Sequence, residues 1–148
     1  MIDEIKAEST AALKAGDRQR VGALRMLVAA LQKAEKDAPD GELSQQASEA
    51  VLRRERKQRI EAAEAYRTGG RPDRAEAEES EIAVIDEFLP AALTDQELEA
   101  MVDEAIASTA ASSMKDMGKV MGAVTLASGG RADGRAASAL VRARLQSS

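Results

Sequence analysis

Leu24, Leu27, Val28 and Leu31 fall at positions i, i+3, i+4 and i+7, the spacing that gathers apolar side chains on one face of an α-helix. The same period returns at Ile82, Ile85, Phe88 and Leu89, and most cleanly at Leu98, Met101, Val102, Ala105 and Ile106. Turn and cap residues cut this pattern into seven helical segments. The first spans residues 2–15 and stops at Gly16-Asp17, and the second spans 18–36 before a loop with Pro39 and Gly41. The third, 44–68, is long and charged and ends at Gly69-Gly70. Pro72 suits the first position of a fourth segment, 72–89, which Pro90 closes. Thr94 and Glu97 have the spacing of a capping box for the fifth, Ser113 and Asp116 repeat it before the sixth, and Asp133 can cap a seventh that runs to the C-terminus.

The expected fold is all-α: a four-helix N-terminal part containing a long helical hairpin, residues 1–93, and a small three-helix C-terminal bundle, residues 94–148. The connector is Leu89 to Leu93. Composition points the same way. Tyr66 and Phe88 are the sole aromatics, so the core must be built from Leu, Ile, Val, Met and Ala. Straight-chain residues and alanine, abundant here, lose little rotamer freedom in a helix.

The chain has neither cysteine nor histidine, which removes thiolate and imidazole chemistry and zinc sites built on them. No metal and no cofactor is expected. The acidic start, Met1-Ile-Asp-Glu, and the lack of any long apolar run give the expectation of a soluble cytoplasmic protein with no membrane partner. Net charge is −5, but it is uneven. From residue 112 on, six basic residues face only Asp116 and Asp133, a balance of +4 that leaves −9 for the rest. On a helical wheel Met114, Met117, Val120, Met121 and Val124 share one side as core, and Lys115 and Lys119 point to the other. Arg135 and Arg142 lie together on the last helix, with Arg131 in the turn before it. Lys115, Lys119, Arg131, Arg135 and Arg142 are therefore the candidate nucleic-acid contacts, one basic surface at the N-terminal end of a helix, to be weighed against an ordinary solvated face.

Glycine inside a helix costs about 1 kcal/mol against alanine. Gly118 and Gly122, four apart in the sixth segment, thus mark a close approach to the backbone by a neighbouring helix or by a ligand phosphate or sugar; Gly129, Gly130 and Gly134 extend that set. The densest basic run, Arg53 to Arg59, is explained by pairing. Glu49 with Arg53, Glu55 with Arg59 and Lys57 with Glu61 are four apart, and the following segment is strongly acidic, so the two make a self-complementary hairpin.

No catalytic residue is assigned. Ser112-Ser-Met-Lys115 has the Ser-x-x-Lys spacing without its partner motifs, and Gly118-Lys119 lacks the rest of a phosphate-binding loop. Gly129-Gly130 does not make a dinucleotide fingerprint, and a di-iron bundle would need histidine. Autonomous catalysis is not expected.

Asp116-Met-Gly-Lys-Val-Met-Gly122, Gly129-Gly-Arg-Ala-Asp-Gly134, Leu140, Val141 and Leu145 resemble the signature of the GatB/YqeY superfamily, and its free-standing YqeY-like members in particular. Arg25-Met-Leu-Val-Ala-Ala-Leu31, the Arg53 to Arg59 helix and the Ile85 to Pro90 exit are similar too. The resemblance implies an all-helical protein related to the tail of the B subunit of tRNA-dependent amidotransferases, which helps hold the tRNA. It implies a tRNA-associated accessory protein in which Gly118, Lys119, Gly122, Arg131, Asp133 and Gly134 carry structure and tRNA contact. The amidotransferase tail tends to have proline at the place of Gly134. Relatives are often described as carbon–nitrogen ligases with glutamine as amido donor, but the subunit and cradle domain that perform that chemistry have no counterpart here. The alternative is an adaptor that docks on a tRNA-processing enzyme through the third and fourth helices. DNA is not an expected partner.

Overall fold

The computed structural model describes residues 1–147, and all regular structure among them is helical. The elements are α1 (Ile2–Lys14), α2 (Arg18–Asp37), α3 (Gln45–Thr68), α4 (Pro72–Asp86), α5 (Asp95–Thr109), a 3₁₀ turn (Met114–Asp116), α6 (Met117–Ser128) and α7 (Gly134–Gln146). The chain forms two compact units, Met1–Leu89 and Pro90–Ser148. Ser148, the end of the expected 94–148 part, lies outside the described residues.

Local chemistry sets the helix starts. The Asp17 carboxylate accepts the Arg20 N–H at 3.1 Å and the Ser44 hydroxyl accepts that of Ala47 at 3.1 Å. Thr94 and Glu97 complete their capping box at 3.1 and 3.0 Å, and Asp133 accepts the Arg135 N–H at 3.2 Å. Each bond satisfies a backbone donor that the helix itself cannot. The ends follow one rule. Gly16, Gly70 and Gly129 take left-handed φ values of 75°, 74° and 61°. The next N–H then reaches back five residues, from Asp17 to Ala12, Arg71 to Tyr66 and Gly130 to Thr125.

α5 stops by the same device on a residue that is not glycine. Ala110 has φ 53°, and the Ala111 N–H bonds the Ile106 carbonyl at 3.1 Å. α4 ends earlier than its apolar period suggests. Residues 87–89 form a tighter turn with N–H groups bonded three residues back, because Pro90 disfavours helical backbone at the residue before it.

In the first unit the core is long and aliphatic: Ile5, Leu24, Leu27, Leu31, Leu52 and Ile85 are all but inaccessible. Burying each contributes about 1.5–3 kcal/mol. α3 and α4 pack along each other and are cross-linked by ion pairs, Arg56 to Asp86 at 2.6 Å, Arg59 to Glu81 at 2.8 Å and Arg67 to Glu79 at 2.6 Å. Along α3, Glu49–Arg53 and Glu55–Arg59 also pair, at 3.4 and 2.8 Å. The self-complementary hairpin is therefore present.

The second unit has shorter core side chains. Val102, Val120, Val124 and Val141 are fully buried, with Leu98, Ala105, Ala137 and Leu145 around them. Met117 and Met121 lie against this core, but Met114, expected with them, is 39% exposed. It sits in the 3₁₀ turn, where 3.0 rather than 3.6 residues per turn throws the α-helical wheel out of phase.

Candidate nucleic-acid interface

The five candidate cations of the C-terminal unit are held very differently. Lys115 projects from the 3₁₀ turn and Lys119 from the first turn of α6, and both are exposed. Asp116 lies between them, its Oδ1 4.0 Å from the Lys119 Nζ. That carboxylate accepts the N–H groups of Ser112 and Ser113 at 3.0 and 3.3 Å, which hold its pKa below the ordinary value. It stays ionised and fixes the entry to α6.

Arg131 is half-buried and already committed. Its Nε donates to the Ser128 carbonyl at 3.0 Å, laying the side chain across the end of α6. Ser128 is the unforeseen residue of this turn. Only 1% exposed, its hydroxyl donates to the Thr125 carbonyl at 3.2 Å and accepts the Ala132 N–H at 3.3 Å. Arg135 and Arg142 are exposed, seven apart on α7, and have no ion pair among the described residues. Arg144, on the same helix, pairs with Asp103 at 2.8 Å, which raises its pKa.

These residues do not gather at one helix end. Lys119 is in the first turn of α6 and Arg131 follows its last, a separation of about 14 Å along the axis by Ser128. The basic groups are spread along α6 and α7 instead, and Lys115, Arg135 and Arg142 are the exposed ones with no ion pair among the described residues.

The helical glycines also differ from expectation. A Cβ placed on Gly118 or Gly122 would meet no atom within 4 Å, so no neighbouring helix approaches the backbone there. Both face outward with Lys119 and with Leu126, which is 80% exposed. Gly134, the first residue of α7, is equally open, whereas Gly129 and Gly130 serve the turn through positive φ, 61° and 80°. Of the two readings for Gly118 and Gly122, the neighbouring helix is removed.

The model of the Yqey-like protein family matches residues 2–145. The chain belongs to that family. A search of curated proteins finds no match. Among the described residues of this Yqey-like chain no cluster of three or more Asp or Glu is placed to hold a metal ion, and no helix is long and apolar enough to cross a membrane.

Proposed function

We propose that this Yqey-like protein is a cytoplasmic tRNA-associated accessory protein that touches the tRNA backbone through its C-terminal unit and performs no chemistry of its own. In this reading residues 1–93 form a four-helix scaffold and 94–148 a three-helix domain that faces the RNA. One observation carries it: Lys115, Arg135 and Arg142 stand exposed without an ion pair among the described residues, and in the same unit the α6 backbone is left bare at Gly118 and Gly122. Cations with nothing of the protein to neutralise are available to phosphate, and the resemblance to the amidotransferase tail supplies tRNA as the source.

The test is fluorescence anisotropy with labelled tRNA across a salt series. Lys115→Ala, Arg135→Ala and Arg142→Ala together should weaken binding and flatten its salt dependence, each lost contact removing roughly 0.7 to 0.9 from the log–log slope. Arg53→Ala with Arg54→Ala should leave the slope unchanged, because Arg53 is spent on Glu49. A triple variant that binds like the parent sinks the reading.

A further inference from the structure

The first unit divides its cations into two populations. Those of α3 and the turn after it are mostly occupied: Arg53, Arg56, Arg59, Arg67 and Arg71 each pair with a carboxylate. On α2 the reverse holds. Arg18, Arg25, Lys33 and Lys36 are exposed and have no ion pair among the described residues. On the helical wheel they fall with Gly22, Met26, Ala29 and Gln32 inside one outward strip about 120° wide. The strip contains no carboxylate. Asp17 is turned onto the N-terminus of α2; Glu35 falls about 60° beyond one edge of the strip and Asp37 about 20° beyond the other, and neither makes an ion pair with these cations among the described residues. At roughly 1.5 Å per residue the four cations form a row about 27 Å long.

The row borders a groove between α1 and α2 of about 370 Å³, into which Arg25 also faces. Lys6, Ser9, Thr10 and Gln32 line it over a floor of Val28 and Ala29, again with no acid. Lys6 carries no ion pair among the described residues. Five cations without an ion pair among the described residues, in a chain of net charge −5, make this face a local basic patch that attracts anions.

We propose that the outward face of α2, with the α1–α2 groove beside it, binds the backbone of double-helical RNA. A docked protein helix would draw its affinity from apolar anchors at i, i+3, i+4 and i+7, and the one large apolar side chain of this strip, Met26 at its edge, already has its sulfur 3.9 Å from the Arg59 guanidinium of α3. Single-stranded RNA would need aromatic side chains to stack its bases, and neither Tyr66 nor Phe88 is on α2. A duplex needs only cations spaced along a line and small residues between them, which Gly22 and Ala29 provide. The hydroxyl of Ser9 and the amide of Gln32, at the groove, supply partners for ribose 2′-hydroxyls, the group that distinguishes RNA from DNA.

This site is separate from the C-terminal one and does not depend on it. The experiment uses the full chain, a blunt 20-base-pair RNA duplex of mixed sequence and its DNA counterpart, titrated by anisotropy across a salt series. Arg18→Gln, Arg25→Gln, Lys33→Gln and Lys36→Gln together alter exposed side chains only, and circular dichroism checks that helicity is kept. We expect the quadruple variant to lose at least tenfold in RNA affinity at low salt, with the slope reduced by about 0.9 per contact removed, and to lose the same factor when the four substitutions are made in the C-terminal triple variant. Duplex affinity and slope unchanged in the quadruple variant would overturn the proposal. So would DNA bound as tightly as RNA, or polyglutamate of equal charge competing as well as the duplex, an outcome that would assign the face to an acidic protein.

Discussion

α3 and α2 are neighbours in one unit and both are rich in arginine and lysine, yet they use them in opposite ways. On α3 the guanidiniums of Arg53, Arg56, Arg59 and Arg67 are turned onto α4 or onto the preceding turn of their own helix, so they hold the hairpin together. On α2 only Arg20 is used in this manner, bridging Glu8 and Glu87 at 3.2 and 2.6 Å; its pKa is raised, mostly by the Glu87 hydrogen bond. The others meet solvent. Positive charge in a sequence therefore says little about binding until the carboxylates that consume it have been located, and the α7 pair Arg135 and Arg142 belongs with α2 rather than with α3.

The sharpest way to break this comparison is at Arg59, the cation most completely enlisted. It is 5% exposed, and its Nε and Nη1 donate to Glu81 and Glu55 at 2.8 Å each while Nη1 also reaches the Glu55 carbonyl at 3.0 Å. Burial alone would lower its pKa, but the hydrogen bonds and charges of Glu55 and Glu81 outweigh it and the net shift is upward. Arg59→Ala leaves two carboxylates facing each other across a cavity and should cost about 3–4 kcal/mol in urea unfolding, the lower range for a broken buried pair because both acids still touch water. Arg67→Ala, at the exposed end of the same hairpin, should cost no more than about 1 kcal/mol. Equal losses at the two sites would mean that burial does not separate structural from idle arginines here.

Much of this fold could be read from the chain. Two helix ends are announced by glycine, at Gly16 and at Gly69-Gly70, two helix starts by Thr94 and Asp133, and the hairpin's pairing by charge four residues apart. The burial of Arg59 was masked by its place in a run of cations, although Ser48, Leu52 and Ala63 share its face and are buried with it. Lys57 and Glu61 have the right spacing but face solvent, and no ion pair joins them among the described residues. The unpaired face of α2 was hidden for another reason. Its significance lies in contacts that do not form, and a sequence shows spacing along one helix but not which acids on other helices turn toward it. The openness around Gly118 and Gly122 was out of reach in the same way.

Where the hairpin has a series of ionic cross-links, the second unit ties α7 to α5 through Arg144 and Asp103 and depends otherwise on single well-placed polar groups, of which Ser128 is the most buried. Ser128→Ala removes a hydroxyl that bonds Thr125 and Ala132, leaving the Ala132 N–H without its partner at the turn that sets the direction of α7. The expected cost is about 1–2 kcal/mol. Ser128→Thr keeps the hydroxyl and separates this loss from a simple volume effect: recovery of most of the stability would assign the cost to the hydrogen bonds, while a larger loss would show that the site has no room for a methyl group. If Ser128→Ala is neutral, the turn is held by Gly129 and Gly130 alone.

The smallest effect has the opposite sign. α5 ends on Ala110 at φ 53°, ψ 35°, a left-handed conformation that glycine takes at the three other ends of the same type. A Cβ there costs roughly 1–2 kcal/mol, and replacing it with glycine gives back part of that gain through the greater entropy of the unfolded chain, about 0.4–1 kcal/mol. Ala110→Gly should therefore stabilise the protein by about 0.5–1 kcal/mol, seen as a higher urea midpoint with an unchanged m-value. Gly129→Ala is the mirror experiment and should lose a similar or larger amount, since a Cβ at Gly129 meets nothing within 4 Å and the cost is wholly conformational. Should both substitutions shift the midpoint in the same direction, the left-handed ends of α5 and α6 would not be equivalent. The backbone strain at Ala110 would then have to be offset by contacts that Ala111, packed against the core of this unit, makes only when the chain turns there.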